Sequence, residues 1–332
     1  MTRRFIVLAL AIPAVAFSQG SKQKKGVFEY VVQSATVTFE AAATSIESTA
    51  AGAGWRVAGK VPSAMPEVCP YRSVVLVLVD SVYAREIMRA NPKTGPFAIS
   101  DRVNVFEDEN GVHVAVVNPH SINRTVLMED LKYESVTESH LQSLRAMIAR
   151  AVPGTESRKQ FGELRDQGYI SKTMGVMAGG KFEDKIGDQA VVPASEWTAV
   201  VPNVRRGLAT VGPKWGMHVV YEYELPEFQT VVFGTTGSPM DRKSFEIVKA
   251  GSDKTREAFK CAGLAHAAAY PVEVVVAQDG SAVRVRQVDA MFRMKMFFED
   301  AGKWAFMKNM GMPGSIDQEL KAQITSGLTS GK

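Results

Sequence analysis

Apolar residues recur at spacings of four and three along Phe39, Ala43, Ile46 and Ala50, which predicts an amphipathic helix ending at the glycines of Ala51–Trp55. A strand-length apolar run follows at Ser73 to Asp80, then the helix-compatible Val82–Ala90. Alternating positions around Asn110-Gly111 predict a β-hairpin over Phe106–Val116. The turn expected there is type I′, whose two central residues need positive φ. An amphipathic stretch, Ser139–Val152, closes this half as a helix.

The same succession recurs further along. Val31–Ala35 (VVQSA) and Val191–Ser195 (VVPAS) stand 160 residues apart, and Gly54 (GWRV) and Gly216 (GMHV) stand 162 apart. Trp197, Val200, Val204 and Leu208 repeat the first helix, and Asp279-Gly280 repeats the hairpin, with Gly280 169 residues after Gly111. Ser244–Ala250 matches the strand Ser73–Val79, Lys254–Ala262 matches Val82–Ala90, Phe298 (FED) matches Met128 (MED), and Ile316–Ile324 matches the closing helix. The pattern predicts an α+β chain of two tandem two-layer α/β sandwiches, each a mixed sheet with helices on one face. The expected boundaries are 26–152 and 190–328. Between them, 153–189 reads as a linker or insertion, charged and helix-compatible at first and glycine-rich later.

The order of elements in the first half, with Asn91-Pro92 before the hairpin and Asn118-Pro119 after it, resembles the bacterial family catalogued as domain of unknown function 302. The resemblance covers 27–150 well and 190–325 more loosely. It implies the TT1751-like two-layer fold and no established activity or catalytic residues. It also implies that paired single domains are here fused into an intramolecular pseudo-dimer. The second half lacks both Asn-Pro pairs.

The chain of 332 residues starts with Arg3 and Arg4, an apolar run from Phe5 to Ala16, and small residues beyond. That run is shorter than the ~20 helical residues a bilayer needs, so 1–18 reads as a signal peptide of a periplasmic or secreted protein, cut after Ala16 or Ser18. No later segment is long and apolar enough to span a membrane. Removing Arg3 and Arg4 takes the net charge from +4 to +2, and no basic block follows Lys22–Lys25, which argues against nucleic acid as a partner. Cys69 and Cys261 either pair across the two halves or remain two thiols, one before a strand and one inside a helix.

Standard catalytic signatures are missing, so an enzyme of unrecognised type ranks behind a binding or accessory protein. Gly52-Ala53-Gly54 reads as a helix end rather than a phosphate loop. Glu107, Asp108 and Glu109 stand at a hairpin tip, where a catalytic pair would lack burial. Among the histidines, His113 and His120, beside Asn118, are the candidates for a ligand. The remaining feature is a doubled Met-x-x-Met-x-Met, at Met291/Met294/Met296 and Met307/Met310/Met312. Soft thioethers suit Cu(I), which makes Met291, Met294, Met307, Met310 and Met312 metal candidates and Cu(I) a candidate cofactor. Interleaved Phe292, Trp304 and Phe306 favour instead a packed interface, or a groove for a small molecule or an exported protein partner. If Asp289 caps a helix, Met291 and Met294 share a face and Met296 points away. The glycines and proline after Met310 are expected to end a helix and leave Met312 in a loop.

Overall fold

The computed structural model describes residues 25–127, 131–165, 180–251, 260–298 and 307–330. The first unit runs β1 (Lys25–Ala35), α1 (Phe39–Gly52), β2 (Trp55–Pro62), β3 (Ser73–Asp80), α2 (Ser81–Ala90), β4 (Asp101–Asp108), β5 (Gly111–Val117), α3 (Pro119–Val126) and α4 (Glu134–Ala151). Its sheet has the order β2-β3-β4-β5-β1, with β6 (Thr155–Glu156) and β7 (Gln160–Arg165) added on β1. The second unit runs β8 (Ile186–Pro193), α5 (Trp197–Ala209), β9 (His218–Leu225), β10 (Thr230–Thr236), α6 (Ser238–Gly251), β11 (Val272–Asp279), β12 (Ala282–Val288), α7 (Ala290–Phe298) and α8 (Gly311–Thr329). Its order is β9-β10-β11-β12-β8. Element for element, this is the order of the first unit.

Polar residues set the helix starts as the sequence requires. Thr38 caps α1, Asp80 caps α2 through Val82 N–H at 2.8 Å, Asn118 caps α3, and Asp289 caps α7 through Phe292 N–H at 2.8 Å. Asp289 thus does in the second unit what Asn118 of the Asn-Pro pair does in the first. In the first unit α1 and α4 cover one sheet face, burying Ile46, Leu76, Val103, Val114, Leu144 and Met147. In the second, α5 and α8 pack together so closely that a Cβ on Gly207 would stand 2.2 Å from the Gln323 carbonyl oxygen.

The units meet in one continuous apolar core that includes Phe28, Phe97 and Phe106 from the first and Phe233, Phe292 and Phe297 from the second. The 3-10 stretch Ala262–Ala269 lies against β3, β4 and β5. Asn104 donates to the Leu264 carbonyl at 2.7 Å, and Arg102 donates to that of Ala269 at 3.0 Å. Arg102 also stands 3.3 Å from Glu273, a buried pair across the seam. A Cys69–Cys261 disulfide closes the same seam. Cys261 precedes the 3-10 stretch as its cap and is not inside a helix.

Several expectations are corrected. Every strand pair in both sheets is antiparallel, so the sheets are not mixed. The charged, helix-compatible start of 153–189 supplies strands β6 and β7 to the first sheet, because the unpaired edge of β1 offers its backbone groups to them. Ser244–Ala250 belongs to α6, and the strand equivalent to β3 is β10. Neither hairpin has a type I′ turn. Gly111 follows the two turn residues at φ 112°, whereas Gly280 is the first turn residue at φ 60°. Helical residues 307–308 do end just before Gly311, but Gly311, Pro313 and Gly314 then begin α8, and Met312 is buried in its first turn instead of lying in a loop. Proline is tolerated there because the first helical N–H groups have no intrahelical acceptor. The signal-peptide region 1–18, most of Lys254–Ala262, Met128, Trp304 and Phe306 lie outside the described residues.

Asp241 of α6 ties the units together by accepting from Ala64 N–H at 3.1 Å and Thr236 Oγ1 at 2.7 Å. Burial pushes its carboxyl up to about 6 from an ordinary 3.8, against those hydrogen bonds. A raised folded-state pKa stabilises below 3.8 and loses that contribution as pH rises through 6. Asp241→Asn is expected to remove this dependence. Urea unfolding at pH 4.5 and 7.5 should show the wild type losing about 2 kcal/mol more over that interval than Asp241→Asn.

Candidate functional site

The buried face of α4 is apolar except at Thr137 and His140. His140 Nε2 lies 2.9 Å from both carboxylate oxygens of Asp101, the first residue of β4, and its Nδ1 is 3.8 Å from Asp80. Asp101 also accepts from Trp55 Nε1 at 2.8 Å. Tyr83 of α2 stacks on the imidazole at 3.6 Å with planes 4° apart, and its hydroxyl accepts from Asn123 Nδ2 of α3. Six elements of the first unit therefore converge on one satisfied polar plug. Burial opposes the charged imidazolium, but Asp101 and Asp80 outweigh it and hold His140 above its ordinary pKa.

The matched topology locates the same point in the second unit. Strand register pairs Asp108 with Gly111 and Asp279 with Ala282 at the two hairpins, so β4, β5 and α3 map onto β11, β12 and α7 by a shift of 171. Asp101 then corresponds to Val272, and Asn123 to Met294. Tyr83 and Met240 are each the third residue of the helix after the matched strand. The buried pairs Leu144/Leu320 and Ile148/Ile324 align α4 with α8, which places Ile316 where His140 stands.

All four replacements, Met240, Val272, Met294 and Ile316, line one open cavity of about 600 Å³, its mouth included. Its wall is almost wholly apolar. Where the first unit has a polar plug, the second has an apolar cavity.

Two polar features touch this cavity. Ser244 Oγ donates to the Met240 carbonyl at 2.9 Å and lies 2.5 Å from the Tyr270 hydroxyl, which burial pushes up to about 12. Arg293 contributes its stem, since its guanidinium is turned to the carbonyls of Ala269 and Pro271 and, at 3.4 Å, to Glu273.

The methionines divide by position. Met294 and Met312, one from each triplet, line the cavity. Met296 is buried in the joint core, Met291 is half-buried, and Met307 and Met310 are 54% and 37% exposed. The second triplet is thus split between the cavity and the surface. Phe292 is fully buried and meets Phe182 edge-on at 5.9 Å, in the seam between units. Among the described residues no group of three or more His, Cys, Asp or Glu is placed to hold a metal ion.

The histidine candidates lie in the first unit, away from the cavity. His113 bridges Asp108 at 2.8 Å and accepts from Ser34 N–H at 3.2 Å, which fastens the hairpin tip to β1. His120 lies 3.2 Å from Glu138 and 3.5 Å from Glu134, and burial pushes its pKa below the ordinary value. Asn118 is the α3 cap beside it. The sequence reading missed Tyr83, Asp101, His140, Met240, Ser244 and Tyr270. A register-correct comparison of the halves would have shown four positions changing together from polar to apolar.

No family model matches the chain, and no curated protein does. One solved structure that it resembles is the crystal structure of the uncharacterized conserved protein DUF302 from Bacillus stearothermophilus, at 13% identity, covering 38% of this chain and 98% of that one, with a TM-score of 0.33.

Proposed function

We propose that this is an exported, non-catalytic binding protein, a fused duplication of one fold unit whose second copy holds a small apolar molecule. The observation that carries the reading is the cavity bounded by Met240, Val272, Met294 and Ile316, at the point where the first copy is filled by hydrogen-bonded side chains. Methionine suits such a wall because its flexible, polarizable thioether adapts to varied apolar shapes. Export is supported by the basic, apolar and small-residue order of 1–18 and by a disulfide, which persists in oxidising compartments. Among the described residues no helix is long and apolar enough to cross a membrane.

The neutral fluorescent probe N-phenylnaphthylamine tests the reading. Its emission should rise saturably with the wild-type protein and fail to do so with Ala290→Trp, which fills the cavity from the start of α7. Both proteins should melt alike. Equal binding by the two proteins, or no saturable binding by the wild type, would overturn the proposal.

A further inference from the structure

The ligand class follows from counting protons at the Ser244–Tyr270 pair in the cavity wall, an inference that rests on the binding function proposed above. Ser244 has a single hydroxyl proton, and its geometry directs that proton to the Met240 carbonyl at 2.9 Å. With the serine proton placed there, the assignment that satisfies both contacts has the tyrosine proton making the 2.5 Å contact between Ser244 Oγ and the Tyr270 hydroxyl. Both protons are committed within the protein, while both oxygens keep lone pairs. Tyr270 stays a neutral phenol, so this supply of protons holds at physiological pH. The spot accepts hydrogen bonds and has none to give.

We infer that the cavity takes a neutral apolar molecule carrying one hydrogen-bond donor, a phenol or alcohol, and rejects carboxylates. A carboxylate would set its charge against two lone-pair oxygens. Arg293 in the cavity wall cannot turn to meet it without giving up Ala269, Pro271 and Glu273. A hydroxyl donated to Tyr270 or Ser244 is satisfied at once, and the rest of the molecule replaces water against Val272, Met294 and Ile316.

The test compares para-butylphenol, its methyl ether and para-butylbenzoate by competition with bound N-phenylnaphthylamine at pH 7.5. The ether keeps the shape and an acceptor but lacks the donor. The wild type should favour the phenol over the ether by about three- to tenfold, the range of one neutral hydrogen bond, and should show no benzoate binding where the phenol saturates. Ser244→Ala frees the tyrosine proton to donate into the cavity, so the phenol-to-ether ratio should fall to about one with the melting temperature little changed. A wild-type ratio of one, an unchanged ratio in Ser244→Ala, or benzoate as the tightest ligand would overturn the ligand class while leaving the binding function standing. If N-phenylnaphthylamine itself fails to bind saturably, the binding function falls as well.

Discussion

Asp101→Val should destabilise the protein by about 3–5 kcal/mol, the range for removing one partner of a buried ionic pair. The substitution copies the residue of the second unit, yet in the first it strands His140 and the Trp55 N–H, both of which rely on Asp101. Exchanging Tyr83, Asp101, Asn123 and His140 together for the Met, Val, Met and Ile of the second unit should cost less than Asp101→Val alone, because it removes most of the unpaired groups along with their partner. The single-variant loss also depends on pH. His140 has a raised folded-state pKa, so its contribution is full below about 6.5 and fades as pH rises through the raised value. Urea unfolding should therefore show a larger Asp101→Val penalty at pH 6 than at pH 9. A loss under about 1 kcal/mol would mean the plug is not the satisfied network described here.

Reducing the Cys69–Cys261 disulfide, or replacing Cys69 by serine, should lower stability by about 2–5 kcal/mol. The bond joins residues 192 apart, so it restricts the unfolded chain over more than half its length. It also fixes the loop before β3 to the 3-10 stretch that lies on the first sheet. The thermal midpoint should fall with added reductant in the wild type and stay constant in Cys69→Ser. Because the joint core and the Arg102–Glu273 contact remain, the reduced protein should still fold with both units docked.

Much of the fold was legible because its signals are local. The spacing of Ala43, Ile46 and Ala50, the hairpin glycines and the capping side chains each act within a few residues, and their repetition revealed two units. What failed was long-range or relational. The strand equivalent to β3 was misplaced because Ser244–Ala250 carries apolar residues at a spacing that fits either period, and the arriving chain chose a helix. Residues 155–165 read as charged and helical, but the free edge of β1 decided their conformation. The cavity had no signature of its own, since Met240, Val272 and Ile316 are ordinary core residues by sequence. Only a register accurate to the residue exposes them as replacements for Tyr83, Asp101 and His140. The methionine doublet was conspicuous and incompletely informative: Met294 and Met312 reach the cavity, while Met307 and Met310 face outward.

We propose the second unit's cavity, lined by Met240, Met294 and Met312, as the working site. Isotope-labelled methionine methyl groups observed by NMR during titration with para-butylphenol test it most directly. Saturable shifts are expected at Met240, Met294 and Met312, with Met307 and Met310 unmoved. Shifts confined to Met307 and Met310, or no shift at the three cavity methyls at saturating ligand, would contradict it.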